Sequence, residues 1–459
     1  MKKEKNIVIL GAGISGLAAG FLLKQKGFIV KILEKSNHPG GSMISEKSDG
    51  YLIDYGPNSG LETTPVIKQL VDAVGLKDEM IYANEEGNKR YILKDNRLYP
   101  LPANPKDFLK TKLFSTGAKL RLLYEPFVGK SDDGYYQSIS EFVKRRLGKE
   151  FLDYAINPFV AGVYAGNPDK LSVKSAFPKL YRLEELYGGL IKGMIKGAKE
   201  RKQRNEKSKQ NAKMFSFLNG MQSLPKALAK HLDVLYNTGV NSVMRSGNGY
   251  KISFSQNGET AELYTNFILS TVPAYVAANI FNELDTELSF HLNNIYYPPV
   301  LNLFLGFKKS DIGQTLDGFG FLIPGKEKKS FLGAIWSSVI FPKRADENNA
   351  AFTIFIGGAR SPELFNLDKD HLVSRVIEEF KQIMKISSDP VFIKKRFWQK
   401  AIPQYNLGYI EHENYFDKFE KENPGIFLSG NYRGGISVGD CIKNSDIIAN
   451  KITKINNNS

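Results

Sequence analysis

Two glycine-rich turns, more than four hundred residues apart, carry the most legible chemistry in this chain. The first is Gly11-Ala12-Gly13-Ile14-Ser15-Gly16, and the second lies within "GNYRGGISVGDCI", residues 430–442. In the first, Gly11 suits a tight turn, Gly13 lets backbone approach a pyrophosphate, and Gly16 suits close packing of a helix on a strand. Glu34, 18 residues beyond Gly16, is placed to accept hydrogen bonds from a ribose hydroxyl. An acid at that position disfavours a 2′-phosphate, which leaves NAD or FAD.

The elements that must hold these residues form a βαβ unit. "NIVIL" (6–10) reads as a buried strand, "LAAGFLLKQKG" as a helix, and "FIVKILEK" as a second strand ending at Glu34. The helix N-terminus offers its positive dipole end to phosphate. Three features favour FAD over NAD. Gly40-Gly41 in "HPGGS" suits a second close backbone approach, and "YLIDYGPNSG" (51–60) adds another glycine-containing turn. The third is the distant turn at 430–442, followed by the helix-like Ile442, Ile447 and Ile448. It would return to the same sheet and aim a helix N-terminus at the polar edge of the flavin.

At 459 residues the chain exceeds one ordinary core, and two or three domains are expected. One cysteine, Cys441, excludes an internal disulfide, a multi-cysteine zinc site and an iron–sulfur cluster. No metal site is expected. The net charge of +15 favours acidic partners, with the excess concentrated in "KGAKERKQRNEKSKQNAK" (196–213). That run reads either as a solvated disordered loop or as an attraction to anionic lipid. No nucleic-acid motif accompanies it. The N-terminal run imitates a signal peptide but lacks a cleavage site, so the expected location is cytoplasmic, at the inner face of the cell membrane as a peripheral protein.

Between about 86 and 215 the pattern changes to helices. One of them is announced by an N-cap at Ser138 or Ser140, with Glu141 close by. From about 295 to 360, evenly spaced apolar runs suggest an antiparallel sheet, followed by a helix around 366–386. The fold class expected is therefore α/β plus α+β. A Rossmann-like FAD-binding domain is assembled from 1–85, 215–280 and 400–459. Residues 86–214 form a helical substrate- and membrane-associating insert, and 281–399 a substrate-binding antiparallel sheet with a helix. The five histidines form no relay pattern in sequence.

The chain resembles the protoporphyrinogen oxidases, plant mitochondrial type, within the amine-oxidase-like flavoproteins. The stretches that carry the resemblance are "NKRYILKDNRLYPLPANP" (88–105), "INPFVAGVYAGNPDKLSVKSAFPKL" (156–180), "FSFLNGMQSLPKALA" (215–229), "DGFGFLIPGKE" (317–327), "SSVIFPKRA" (337–345) and "GNYRGGISVGD". The resemblance implies oxidation of a porphyrinogen to a porphyrin in three two-electron steps in haem biosynthesis. FAD would be reoxidised by oxygen with release of hydrogen peroxide. It also implies a peripheral membrane contact, and a homodimer is compatible with it.

Cofactor contacts carried over fall on Gly11, Ala12, Gly13, Ile14, Ser15, Gly16, Glu34, Lys35, Ser42, the turn Gly56-Pro57-Asn58-Ser59, Val240, Trp398, and Ile436-Ser437-Val438. Ser42 stands where many relatives carry Arg or Lys. Arg90 would pair with a substrate propionate, which a guanidinium fork suits. Gly162, Leu303, Leu322 and Trp336 are the expected walls, and Asn58 is the catalytic candidate for steering substrate or flavin. The close alternative is coproporphyrinogen III oxidation. Weaker ones are a flavin amine oxidase or desaturase, and a flavin-holding scaffold without turnover.

Overall fold

The computed structural model describes residues 5–203 and 212–458. Its centre is a five-stranded, all-parallel sheet in the order Asp233–Leu235, Ile29–Leu33, Asn6–Leu10, Ile268–Ser270, Ile426–Leu428. Strands from both ends and the middle of the chain therefore meet in one layer. The helix Ile14–Gln25 follows the first strand, and the long C-terminal helix Val438–Asn458 packs against it. Ser445 Oγ on the latter donates to the carbonyl of Ser15 at 2.9 Å. Leu17, Leu23, Ile9, Ile32, Ile442 and Ile452 fill the space between helices and sheet.

The second large layer is a seven-stranded sheet. Its order is Phe392–Trp398, Val300–Lys308, Asn349–Gly357, Gly333–Ile335, Gly320–Leu322, Arg90–Lys94, Arg97–Pro100. All neighbours are antiparallel except Gly320–Leu322 beside Arg90–Lys94. One face is covered by the helix Lys369–Met384, whose Asp368 side chain accepts from the N–H groups of Asp370 and His371. The residues 90–100 correct the expectation of helix from 86 onward. "RYILK" and "RLYP" are joined by Asp95 and Asn96, both at positive φ (50° and 57°). This is the two-residue turn that closes a hairpin, and it was readable in the sequence.

The helical layer runs from Pro105 to Gln203. Ser138, not Ser140, caps the helix Ile139–Arg146, in a reciprocal box with Glu141. A buried ion cluster locks this layer together. Arg146, fully inaccessible, pairs with Glu125 at 2.9 Å and with Glu184. Glu125 in turn accepts from the N–H groups of Leu190 (2.7 Å) and Ile191 (3.1 Å), closing the N-terminus of the helix Leu190–Gln203. Of the basic run 196–213, residues 204–211 lie outside the described residues.

Candidate functional site

A cavity of ≈ 3490 Å³ lies between the parallel sheet, the seven-stranded sheet and the helical layer. Ordinary ligand pockets hold about 300–1,000 Å³, so this one is sized for a large cofactor and a substrate together. Gly11, Gly13, Ile14 and Ser15 line it, and so do Ile436, Ser437 and Val438 from the other end of the chain. The two turns read from the sequence face one space.

The cradle fits a dinucleotide. Gly11 has φ +98°, and a Cβ on Gly16 would stand 2.1 Å from the carbonyl oxygen of Gly11. A Cβ on Gly13 would meet nothing within 4 Å, so its backbone is open to a ligand. No side chain caps the helix Ile14–Gln25, which leaves its first N–H groups for phosphate. Glu34 Oε2 accepts from Ala12 N–H at 2.6 Å, and Oε1 from Ser36 N–H and Oγ at 2.8 and 2.7 Å. An ionised carboxylate offers about four acceptor sites, so capacity remains for a ribose hydroxyl. Ala12 and Gly16 do not line the cavity: the first spends its N–H on Glu34, and the second is pressed against Gly11 and Thr271.

Lys35, Ser42, Gly56, Pro57, Asn58, Ser59, Val240 and Trp398 all line the same space. The close turn at Gly56 demands glycine, since a Cβ would sit 1.9 Å from the carbonyl oxygen of Ser42. Val240 lies where the pairing of Thr238–Ser246 with Gly249–Gln256 shifts register, a bulge that bends the strand. The turn after Tyr55 is pinned to the seven-stranded sheet. Tyr55 O accepts from Trp398 Nε1 (2.9 Å) and Asn302 Nδ2 (3.2 Å), and Asn58 Nδ2 reaches Thr353 Oγ1 (3.2 Å).

Toward the substrate end, Arg90, Gly162 and Leu322 line the cavity. The Arg90 guanidinium lies 5.4 Å from the Phe319 ring centroid and makes no ion pair among the described residues. Surrounding protein lowers its pKa by desolvation. Gly162 lets its helix close on the sheet, because a Cβ would meet Leu322 Cδ2 at 2.7 Å. Leu303 and Trp336 are corrections. Both are fully inaccessible and belong to the core under the helix Lys369–Met384, with Trp336 stacked on Tyr91. Side chains alternate along a strand, and Leu303 points to the covered face, while Trp336 follows the strand Gly333–Ile335 and packs into the same core. Val300, Asn302, Phe355 and Ile335 stand on the cavity side instead.

Sequence reasoning also missed Glu413, a cavity-lining carboxyl whose pKa burial raises, and Lys400, stacked on Tyr275 at 4.3 Å. No motif surrounds either. His291 and His412, far apart in sequence, contact through Nδ1 atoms 2.9 Å apart, and neither lines the cavity. Cys441 is buried on the cavity wall with its thiol pushed up to about 11 by desolvation, which suits packing rather than nucleophilic chemistry. No group of three or more metal-ligating side chains occurs among the described residues.

The family model for flavin containing amine oxidoreductases matches residues 14–453. The chain belongs to that family. Its cofactor is FAD, and it is an oxidoreductase. It is 33 % identical to a mitochondrial protoporphyrinogen oxidase of Nicotiana tabacum, over 99 % of this chain and 97 % of that one. It is 29 % identical to a coproporphyrinogen III oxidase of Bacillus subtilis, over 96 % of each. Reduced UDP-galactopyranose mutase has the same fold, with a TM-score of 0.75 at 16 % identity, covering 98 % of this chain and 96 % of that one.

Proposed function

We propose that this flavoprotein oxidises protoporphyrinogen IX to protoporphyrin IX in haem biosynthesis, with oxygen as acceptor and hydrogen peroxide as by-product. The observation that carries this reading is Arg90, an exposed guanidinium that surrounding protein partly desolvates, with no ion-pair partner among the described residues, beside a cavity walled by Leu322, Phe355 and Val300. A flat apolar ligand with carboxylate arms matches that pairing. The names of the relatives point the same way.

Bound FAD supplies the two-electron acceptor for hydride leaving a bridging carbon of the electron-rich macrocycle. The chain's own residues orient and dehydrate. Arg90 holds a propionate, Leu322 and Phe355 exclude water from the ring, and the pinned turn Tyr55–Ser59 keeps cofactor and substrate sheets in register. No strong catalytic base is required beside so electron-rich a substrate. Asn58 is the polar side chain best placed on that turn to steer a ligand.

Coproporphyrinogen III is the second reading, favoured by Lys400 and Arg182, further cations on the cavity wall that additional propionates would reach. Purified protein should show a flavin visible spectrum and consume oxygen with a porphyrinogen, and comparing the two substrates by porphyrin fluorescence assigns the preference. Turnover of neither substrate by flavin-loaded protein refutes the reading. The same proposal includes a cytoplasmic location at the inner membrane face. Leu109, Leu123, Phe127 and Ile195 are all at least 70 % exposed, among Lys110, Lys119 and Arg121. No helix among the described residues is long and apolar enough to cross a membrane. Vesicle sedimentation tests the membrane contact, and light scattering tests a homodimer.

A further inference from the structure

Asn302 is a polar residue, third of nine, in "VLNLFLGFK", the strand Val300–Lys308. It is 1 % exposed and lines the cavity. Its Nδ2 donates to the carbonyl of Tyr55 at 3.2 Å. A carbonyl only accepts, so the amide nitrogen must face it, and this fixes which way the side chain is turned. Oδ1 is then a buried acceptor, and it has no hydrogen-bond partner among the described residues. Asn58 differs: its partner is the hydroxyl of Thr353, which can donate or accept, so its amide can turn to suit a ligand.

The amide is not needed merely to satisfy Tyr55, whose carbonyl already receives Trp398 Nε1 at 2.9 Å. On either side of Asn302 on its face of the sheet stand Val300 and the cross-strand partner Phe355, both on the cavity wall. A buried acceptor left without a donor is costly, and such atoms in folded proteins usually meet one.

We propose that Asn302 Oδ1 accepts an N–H from the ligand held between the Tyr55–Ser59 turn and the seven-stranded sheet. This rests on the functional reading above. The donor is a ring N–H, either an inner pyrrole N–H of the porphyrinogen or the imide N–H of the isoalloxazine. Asn302 is thereby a binding residue that sets how the two ring systems face each other, in addition to steadying the turn.

The test compares Asn302→Leu, which removes donor and acceptor, with Trp398→Phe, which removes the other donor to the Tyr55 carbonyl and leaves Asn302 intact. FAD release from the holoenzyme is followed by recovery of flavin fluorescence, and flavin reduction by porphyrinogen is followed anaerobically. If the isoalloxazine is the donor, Asn302→Leu should hold FAD roughly ten- to hundred-fold more weakly, with a shifted visible band. If the substrate is the donor, FAD affinity and spectrum stay as in the parent, and the half-saturating porphyrinogen concentration rises by that factor. In either case Trp398→Phe should be impaired less than Asn302→Leu. Two results overturn the proposal: Asn302→Leu within twofold of the parent in both arms, or Trp398→Phe at least as impaired as Asn302→Leu, the outcome of a purely pinning role. Should Asn302→Leu yield no soluble holoenzyme, Asn302→Thr takes its place in the same comparison. Should no porphyrinogen reduce even the parent, the functional reading fails, and the FAD arm alone decides on Asn302.

Discussion

Replacing Arg90 by alanine isolates the proposed pairing of its guanidinium with a substrate propionate. A hydrogen bond to a charged group contributes about 1.5–3 kcal/mol, and each 1.4 kcal/mol is a tenfold change. Arg90 opens to the cavity while protein atoms on its other sides desolvate it, which lowers its pKa but leaves an arginine protonated at neutral pH. Because one side stays open, the lower half of that range applies, and Arg90→Ala should lose roughly ten- to forty-fold in kcat/KM. A propionate far from the bridging carbons is held equally in ground and transition states, so the loss should fall on KM. The assay is steady-state porphyrin fluorescence, run with the free acid and the dimethyl ester of the porphyrinogen. The ester has no carboxylate to give Arg90, so parent and variant should turn it over alike. Arg90→Lys should recover only part of the affinity, since it forfeits the bidentate fork. An unchanged kcat/KM for the free acid, or an equal loss on the ester, would refute the reasoning.

Gly56→Ala should abolish flavin retention, because its Cβ would lie 1.9 Å from the carbonyl oxygen of Ser42, and the visible spectrum of purified protein reports it directly. Arg146→Met leaves Glu125 buried without a cation and Glu184 with Arg145 alone, and should cost about 3–5 kcal/mol, read by denaturant titration. A triple replacement of Arg146, Glu125 and Glu184 by apolar residues should recover only part of that loss, since Arg145 then lacks Glu184 and the N–H groups of Leu190 and Ile191 lack Glu125. Desolvation and the neighbouring His291 lower the pKa of His412, while Glu411 opposes them. The unfolded chain therefore binds more protons at this site, so stability should be complete above about pH 6.5 and fall as pH drops through the folded pKa. His412→Asn should flatten that part of the melting-temperature profile.

Local dihedral preference and periodicity are written into short stretches, and those were legible. The strand–turn–helix at 6–25, Glu34 after the second strand, the Ser138 cap and the helix near 366–386 each depend on residues within a few positions of one another. Even the meeting of the turns at 11–16 and 430–442 was readable, because a dinucleotide needs more than one glycine turn to hold it. Arg90, Gly162 and Leu322 were singled out by segment resemblance, and all three line the cavity. The hairpin at 90–100 was overlooked although its Asp95-Asn96 turn announced it.

What the chain did not disclose locally is which face of a doubly covered strand meets the cavity. "VLNLFLGF" is apolar at nearly every position and shows no alternation, so nothing in it separates Leu303 from Val300. The helix Lys369–Met384, arriving some seventy residues later, takes one face for its core and leaves the other to the ligand. The same holds for Trp336, Asn302, the His291–His412 contact and the Arg146 cluster. Each owes its role to a partner distant in sequence, and only closure of the tertiary structure decides whether a side chain meets that partner, a cavity or a neighbouring core.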